Sequence, residues 1–207
     1  MKVRIYVEGG GDSKELHIRC RQGFRKLIMN SGFKDRMPSF RACGGREKTF
    51  DMFKTSLIDG SQEYSVLLVD SEDIVNGGNL SPDSPIAWNH LLRRDSWRKP
   101  RGAQNNQAQL MATCMESWIM ADPEAIISFF GPRTLSNSLL PISDLEKRHR
   151  EEVQETLEHA TSYCGRVRAY RKGKRAFQLL ETLDPNKLRE NMGHFNRLIT
   201  MLEQIPT

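Results

Sequence analysis

Residues 3–13 read Val3-Arg4-Ile5-Tyr6-Val7-Glu8-Gly9-Gly10-Gly11-Asp12-Ser13, and this stretch predicts a β-strand that turns through glycines into a helix. Val3, Ile5 and Val7 alternate with Arg4 and Tyr6, which is the period-two pattern of a strand with one well-buried face. Glu8 then stands at the carboxyl end of the strand. In open α/β sheets this edge collects ligands and reacting groups, because the loops leave the strands there and the helices point their amino ends into the same crevice.

A purely structural interpretation of the same stretch is also open. A β-to-α turn needs glycines, and Asp12 could serve as a helix N-cap with Glu15 completing a capping box. That interpretation leaves Glu8 unexplained, because a partly desolvated carboxylate needs a cation, a donor or a raised pKa. The spacing also fails the Gly-x-Gly-x-x-Gly pattern, since Lys14 stands where the third glycine would be, and no Gly-x-x-x-x-Gly-Lys-Ser/Thr occurs. We therefore do not expect the chain to hydrolyse ATP by itself.

The composition of the 207 residues, with 38% hydrophobic and 28% charged side chains, is typical of a soluble globular protein. No run approaches the roughly 20 apolar residues of a membrane span, and the first residues lack the apolar block of a signal peptide. We expect a cytoplasmic protein with no membrane partner. The cysteines are scattered without a Cys-x-x-Cys pair, which favours buried, reduced thiols over a zinc site. They are Cys20, Cys43, Cys114 and Cys164.

Strand and helix patterns alternate up to about residue 131. The predicted elements are a helix over 13–30, a strand over 37–43, a helix over 46–58, a strand over 64–70, a helix over 86–92, a strand over 107–114 and a helix between Asp122 and Gly131. The uninterrupted Val66-Leu67-Leu68-Val69 run is typical of a central parallel strand. The segment 74–85 predicts a loop that covers a site. We therefore predict an α/β domain over residues 1–131, with a mainly parallel central sheet flanked by helices.

Residues 132–207 predict a helical extension packed on the same core. Ser143-x-x-Glu146 indicates the start of a charged helix that runs to about His159. Asp184-Pro185 and Gly193 mark two further helices.

The net charge of +5 indicates an anionic partner only if the positive charge is clustered, and it is. Residues 163–175 contain six basic side chains and no acidic one, and Arg93 to Arg101 form a second basic run opposed only by Asp95. A basic run is most often a solvated surface. The tyrosines and glycines of the first run are more typical of a loop that follows phosphates. Its predicted nucleic-acid contacts are Arg171, Lys172, Lys174 and Arg175.

Carboxylates follow three of the predicted strands, and in a parallel sheet these strand ends lie at one edge. Two unit charges about 4 Å apart repel by roughly 4 kcal/mol at an effective dielectric of 20, so the group needs a divalent cation or partial protonation. Oxygen ligands without nearby histidine favour Mg²⁺ or Mn²⁺ over zinc. One or two such ions could activate water for phosphodiester cleavage. The predicted metal ligands are Glu8, Asp12, Asp70, Glu72, Asp73 and Glu116.

These residues resemble the Toprim domain of topoisomerases, DnaG-type primases and overcoming-lysogenization-defect nucleases. Glu8-Gly9-x-x-Asp12 after the first strand and Asp70-x-Glu72 after a later one carry the resemblance, which covers roughly residues 1–131. Met115-Glu116-Ser117-Trp118 and Tyr170-Arg-Lys-Gly further resemble a Toprim-like family of unknown function, often found beside ATPases in bacterial defence loci. That second resemblance spans nearly the whole chain.

The resemblance implies catalytic roles for three residues: Glu8 as general acid/base or first metal ligand, and Asp70 and Glu72 as ligands of the catalytic ion. Glu72 departs from the usual second aspartate of the Asp-x-Asp pair, and no tyrosine nucleophile domain accompanies the chain, which argues against topoisomerase activity. The expected function is a Mg²⁺- or Mn²⁺-dependent nuclease acting on DNA or RNA, a defence effector controlled by a separate ATPase. The alternative is a non-catalytic Toprim-like module that binds nucleic acid or a protein partner.

Glu116 decides between one ion and two. Thr113-x-x-Glu116 is similar to the Ser-x-x-Glu element that completes a second metal site in the nuclease branch. We then expect Glu116 at the end of a strand next to the Glu8 strand, sharing an ion with Glu8 and Asp12, its carboxylate within about 8 Å of that of Glu8. Glu116 could instead cap or salt-bridge the helix containing Trp118, because acidic side chains are favoured in a first turn.

Overall fold

The computed structural model describes residues 1–59, 62–165 and 169–206. Within them a four-stranded, all-parallel sheet is flanked by helices, which confirms the predicted α/β class. The strands are β1 (Val3–Val7), β2 (Ser39–Ala42), β3 (Tyr64–Asp70) and β4 (Ala108–Met111). The helices are α1 (Lys14–Ile28), α2 (Arg46–Ile58), α3 (Ile86–Asp95), α4 (Met115–Met120), α5 (Pro123–Phe130), α6 (Arg150–Thr161), α7 (Lys174–Leu180), α8 (Pro185–Asn191) and α9 (Gly193–Gln204). In the ranges described, no helix has the length and apolar character needed to cross a membrane.

The strand order is β2-β1-β3-β4, and it defines a topological switch point. The connection from β1 runs to β2 on one side of β1, and the connection from β3 runs to β4 on the opposite side of β3. The two connections therefore diverge, and a crevice lies between the carboxyl ends of β1 and β3. In open α/β sheets the crevice at such a point is where ligands bind. The fold therefore places the residues that follow β1 and β3 in the crevice most suited to a site.

Both faces of the sheet are buried, and successive strand residues alternate between two hydrophobic clusters. Ile5 and Val66 belong to the larger cluster, with side chains of α1 and the C-terminal helices, while Tyr6 and Leu67 belong to the smaller one, with side chains of α2 and α3. Trp118 shows how the C-terminal helices join the larger cluster, since its ring packs edge-on 5.0 Å from Phe195 of α9. The helices after residue 131 thus share one core with the sheet.

The start of the charged C-terminal helix is predicted wrongly. Ser143 does not open a helix: a single 3₁₀ turn covers Leu145–Lys147, and α6 begins only at Arg150. Asp144 has φ +63°, a left-handed conformation that a helix does not accommodate. The Glu146 carboxylate accepts from the first two backbone N–H groups of α9, at 3.1 and 2.8 Å, so the capping pattern belongs to another helix.

Arg197 of α9 is a buried cation that ties the C-terminal helix to the sheet. The residue is 2% exposed, and its guanidinium donates to Gln109 Oε1 at 2.8 Å. It also donates to five backbone carbonyls at 2.7–3.3 Å, those of Ser81, Pro82, Ser84, Asn105 and Ala108. Burial lowers the pKa of Arg197 to about 10, so the guanidinium stays charged at neutral pH. The loop between β3 and α3 is held against β4 by this one side chain.

All four cysteines are buried thiols, and three of them lie near the switch point. Cys20 lies under the glycine turn after β1, where a Cβ added to Gly9 would be 3.3 Å from its sulfur. Cys43 donates its backbone N–H to the Val7 carbonyl at 3.1 Å, and Cys114 is the N-cap of α4. Burial raises the pKa of Cys43 to about 11 and raises the pKa values of the Cys20 and Cys114 thiols further.

Candidate functional site

Three carboxylates meet at the switch point, those of Glu8, Asp70 and Glu72. One oxygen from each lies within 4.8 Å of the other two. Glu8 follows β1 directly and Asp70 ends β3, so the strand order itself brings these two together. The sequence predicted all three as metal ligands and catalytic residues, and the structure places them in one cluster, which we call the carboxylate cluster.

Backbone contacts hold Glu8 and Asp70 in place. The Glu8 N–H donates to the Leu68 carbonyl at 3.0 Å, and Glu8 Oε2 accepts from the Asp70 N–H at 3.3 Å. Asp70 Oδ1 accepts from the Met115 N–H, at the start of α4, at 2.9 Å. The two carboxylates are therefore positioned by the sheet and by a helix terminus rather than by flexible loops.

Glu72 reaches the carboxylate cluster through an unusual backbone conformation. Its φ is +66°, a left-handed value that is uncommon for a residue other than glycine. The Ser71 N–H donates to the Met111 carbonyl at 2.9 Å and the Glu72 N–H to the Thr113 carbonyl at 2.8 Å, which continues the pairing of β3 with the β4 side past the end of the strand. Conformations of this kind cost roughly 1–3 kcal/mol and are concentrated at functional sites.

The electrostatics of the carboxylate cluster favour a bound cation or a shared proton. Burial raises the pKa of Asp70 well above its usual range, and the charges of Glu8 and then Glu116 raise it further. Burial also raises the pKa of Glu8, with Arg46 opposing and Glu72 adding to the shift. Two unit charges 4.8 Å apart repel by about 3.5 kcal/mol at an effective dielectric of 20. The folded state therefore carries a repulsion that a divalent ion would relieve.

Replacing Asp70 with Asn should stabilise the protein at neutral pH in buffer without divalent ions. A carboxyl group whose pKa is raised on folding binds its proton more tightly in the folded state, so the folded state loses stability as the pH rises above the unfolded pKa. Asn removes this cost, and its amide oxygen can still accept from the Met115 N–H. Thermal unfolding between about pH 4 and pH 8 should give melting temperatures that diverge in favour of D70N as the pH rises. A difference that does not change with pH would contradict this account.

Arg46, the first residue of α2, is a largely buried cation beside the carboxylate cluster. Its Nη1 donates to Glu8 Oε2 at 3.4 Å and, at closer range, to the Asp70 carbonyl. Its other nitrogens form a two-pronged pair with Asp95 at 3.1 and 2.6 Å, and the guanidinium lies 4.9 Å from the Trp97 ring centre. Asp95 therefore positions Arg46, which in turn neutralises part of the charge on Glu8.

Two further guanidinium groups contact Glu72. Arg94 Nη2 donates to Glu72 Oε2 at 3.1 Å, and Arg94 also pairs with Asp73 at 3.1 Å and with Asp95. Arg150 Nη1 pairs with the same Glu72 oxygen. Arg94 lies in the last turn of α3 and Arg150 opens α6, so the helical extension contributes a side chain to the site.

A cavity of about 340 Å³ opens beside the carboxylate cluster. Backbone forms much of its wall, at residues 9–11 and 44–45, and Phe177 and Lys172 complete the lining. Gly44 has φ +84°, and a Cβ there would lie 2.6 Å from the Gly11 carbonyl oxygen, so only glycine fits this wall. The carboxylates of Glu8 and Asp70 and the ammonium group of Lys172 thus line one cavity.

Asp12, Asp73 and Glu116, the other predicted metal ligands, lie outside the carboxylate cluster. Asp12 is exposed on the loop after β1, where Ser13 rather than Asp12 caps α1. The Asp73 side chain is 69% exposed and pairs with Arg94. Asp12 stands five residues beyond the end of β1, and Asp73 stands three residues beyond the end of β3.

Glu116 is not at the end of a strand beside β1, and this prediction is wrong. The strand before it, β4, pairs with β3, and Glu116 lies in the first turn of α4. Its carboxylate is fully buried and accepts from the Tyr170 hydroxyl at 2.7 Å and from Gln154 Nε2 at 3.3 Å. Glu116 lines the cavity together with Asp70, but its oxygens are engaged by the helical extension.

The predicted basic loop divides into parts with different environments. Arg166 and Arg168 lie outside the described residues. Lys172 lines the cavity, and its charge lowers the pKa values of Glu8 and Asp70. The remaining predicted contacts are Arg171, which is exposed, Lys174, which pairs with Glu15 at 2.9 Å, and Arg175, which lies within α7.

Sequence reasoning missed Arg46, Arg94 and Arg150 as members of the site. Arg46 could have been found, because a cation that opens a helix directly after Gly44-Gly45 lies at the carboxyl edge of the sheet. Arg94 stands in a recognised basic run but is not distinguished from its neighbours there. For Arg150 the sequence offers no signal, since only tertiary packing brings α6 to the carboxylates.

One protein family matches nearly the whole chain. Its model covers residues 7–203, a range that includes the carboxylate cluster, the three arginines and Lys172. No curated protein and no solved structure matches the chain. The chain belongs to the family described as Domain of unknown function (DUF4276).

Proposed function

We propose that the chain is a Mg²⁺- or Mn²⁺-dependent nuclease that cleaves phosphodiester bonds in DNA or RNA. The observation that carries the proposal is the convergence of Glu8, Asp70 and Glu72 at the switch point, with oxygens within 4.8 Å of one another beside a cavity that Lys172 lines. Carboxylate oxygens are the ligands that these ions prefer.

The donor set fits one such ion. Two oxygens bonded to an ion at about 2.1 Å can lie up to about 4.2 Å apart, so the three carboxylates need to move by less than about 1 Å. Glu8, Asp70 and Glu72 would hold the ion. A bound Mg²⁺ or Mn²⁺ would supply a water of lowered pKa and a Lewis acid for the phosphate. The engagement of Glu116 by Tyr170 and Gln154 favours a site for one ion over a site for two.

The residues of the chain can perform the remaining steps of hydrolysis. Glu8 has a raised pKa, which suits a group that accepts a proton near neutral pH. It would take the proton of the water that attacks phosphorus as the bond to the leaving oxygen breaks, and solvent would protonate that oxygen. Lys172 would offset the negative charge of the phosphate in the cavity.

We also propose that the chain is Toprim-like and acts in the cytoplasm as a defence effector under a separate ATPase. The order of its acidic residues supports the first part, with Glu8 after β1 and Asp70-x-Glu72 after β3. The second part rests on the resemblance to a family found beside ATPases. The competing function is a non-catalytic module that binds nucleic acid or a protein. The pairing of Glu8 and Glu72 with arginines favours it, because paired carboxylates do not require an ion.

Mg²⁺ and Mn²⁺ should bind the wild-type protein and raise its melting temperature, because a ligand that binds only the folded state stabilises it. Asp70→Ala should abolish the heat of binding in titration calorimetry, since Asp70 is the most deeply buried of the three ligands. Asp12→Asn is the matched control, because Asp12 is exposed on the loop after β1, and it should bind as the wild type does. Absence of binding to the wild type, or unchanged binding in D70A, would remove the ion from the proposal.

Replacing Arg171, Lys172, Lys174 and Arg175 with alanine should weaken nucleic-acid binding for all sequences alike. Each lost phosphate contact should reduce the slope of log affinity against log salt by about one. Fluorescence anisotropy over a salt series measures this slope, with plasmid fragments and transfer RNA as the two ligands. Lys26→Ala with Lys34→Ala is the control, because both lysines are exposed and lie between the last turn of α1 and the start of β2, away from the carboxyl edge of the sheet. An unchanged slope in the quadruple variant would show that these four side chains belong to a solvated surface and do not contact phosphates.

A further inference from the structure

Alternating charges form a continuous chain around the carboxylate cluster. Asp95 is its central link, since its two oxygens pair with Arg46 on one side and with Arg94 on the other. The order of contacts is Glu8, Arg46, Asp95, Arg94, Glu72 and Arg150. A metal ion that binds the carboxylate cluster therefore enters a network in which each arginine is already paired with at least one carboxylate.

The three guanidinium groups differ in how far the protein encloses them. Arg46 is 12% exposed at its side chain, with a two-pronged pair to Asp95 and the Trp97 ring against it. The side chains of Arg94 and Arg150 are 28% and 23% exposed. Arg46 is thus the most enclosed of the three, whereas Arg94 and Arg150 are more exposed to solvent.

Glu72 is the point at which a cation and these two arginines compete. Its Oε2 accepts from Arg94 Nη2 at 3.1 Å and pairs with Arg150 Nη1. An ion bonded to the same oxygen places a third positive charge on it, and like charges that share one oxygen oppose each other. Ion binding at Glu72 therefore weakens both guanidinium contacts.

Building on the proposed nuclease function, we propose that Arg94 and Arg150 bind the phosphate group of the substrate after the ion has taken Glu72 from them. A guanidinium presents paired N–H groups that match two oxygens of a phosphate, and Arg is the residue best suited to such recognition. The site then exchanges partners: the carboxylate goes to the ion, and the arginines go to the phosphate. These two arginines thus become available to the phosphate only when the ion is present, in addition to Lys172 in the cavity.

This exchange couples the two ligands. The ion takes Glu72 away from the two arginines and leaves them free for the phosphate, and the phosphate takes the arginines away from Glu72 and leaves it free for the ion. The ion should therefore tighten phosphate binding, and the phosphate should tighten ion binding by the same factor. Loss of Arg150 should have opposite effects on the two affinities. It frees Glu72 for the ion and deprives the phosphate of a donor.

The test measures three binding constants by titration calorimetry on the full chain. The first is for Mn²⁺ alone, and the other two are for thymidine 5′-monophosphate without and with saturating Mn²⁺. This probe carries a phosphate but no phosphodiester bond to cleave, and thymidine without phosphate reports any binding of the nucleoside itself. In the wild type we expect Mn²⁺ to tighten binding of the monophosphate roughly tenfold, within the usual range of coupling between sites, and to leave thymidine unaffected.

Arg150→Gln should bind Mn²⁺ several-fold more tightly than the wild type and lose most of the Mn²⁺-dependent gain for the monophosphate. Arg94→Gln should do the same and provides an independent variant. The matched controls are Arg148→Gln, which loses an exposed pair to Glu152, and Arg93→Gln, which neighbours Arg94. Both controls should match the wild type.

The outcomes separate this inference from the function on which it rests. If the wild type binds Mn²⁺ but R150Q and R94Q match their controls in both measurements, the exchange of partners is overturned while the metal site stands. If the wild type binds no Mn²⁺, the proposed function itself fails.

Discussion

Glu8→Gln should lower the rate of Mg²⁺- or Mn²⁺-dependent cleavage of plasmid DNA or transfer RNA by at least a thousandfold. The substitution removes both an ion ligand and the proton acceptor, and a thousandfold corresponds to about 4 kcal/mol of lost transition-state stabilisation. The fold should survive, because Arg46 keeps its pair with Asp95 and its bond to the Asp70 carbonyl. Removing the Glu8 charge also lessens the repulsion on Asp70, so the melting temperature should not fall.

The matched control for this variant is Glu63→Gln. Glu63 pairs with Arg4 at 2.9 Å, just before β3 and therefore at the opposite edge of the sheet, and its loss should leave cleavage unchanged. A wild-type protein that cleaves, with E8Q at the same rate, would contradict the role of Glu8. A wild type that binds nucleic acid without cleaving it, with E8Q binding equally well, would favour the non-catalytic module.

Arg197→Met should destabilise the protein by about 3–5 kcal/mol, because several buried carbonyls lose their donor and each unsatisfied buried group costs about 1–3 kcal/mol before water enters. In a chain of this size the loss corresponds to roughly 10 °C in melting temperature. Arg197→Lys should recover only part of the loss, since one ammonium group cannot serve the set of acceptors that the planar guanidinium reaches.

Arg189→Met is the control for Arg197. Arg189 pairs with Glu203 at 2.8 Å, and its side chain is 36% exposed. An exposed pair of this kind contributes less than about 1 kcal/mol. Equal shifts in melting temperature for R197M and R189M, measured by calorimetry, would show that the buried carbonyls are satisfied without Arg197.

Local patterns were enough to predict the sheet and two of its connections. The predicted bounds of α2 and β3 agree with the structure, because the apolar run of 66–69 and the turn at Gly44-Gly45 are encoded within a few residues. The placement of Glu8 and Asp70 at one edge of the sheet follows from a general rule about parallel strand ends. Their contact also requires that β1 pairs with β3, which the local patterns do not encode.

The order of the strands is what the sequence could not supply. Glu116 was expected beside the Glu8 strand, but β4 pairs with β3 instead, and nothing local to residues 108–116 encodes its neighbour. Arg150 presents the same difficulty in another form. Its contact with Glu72 joins residues 78 positions apart, and the one-dimensional pattern of α6 shows only a charged helix.

The buried thiols near the switch point have a practical consequence. A thiol reagent reaches Cys20, Cys43 or Cys114 only when the surrounding structure opens, so the labelling rate reports how often that region opens. When reclosing is faster than labelling, this rate follows the equilibrium population of the open form. The native thiols therefore serve as a probe of local opening around the site. Slower labelling in the presence of Mn²⁺ would show that the ion lowers the population of the open form, and the ratio of the two labelling rates would give the size of that effect.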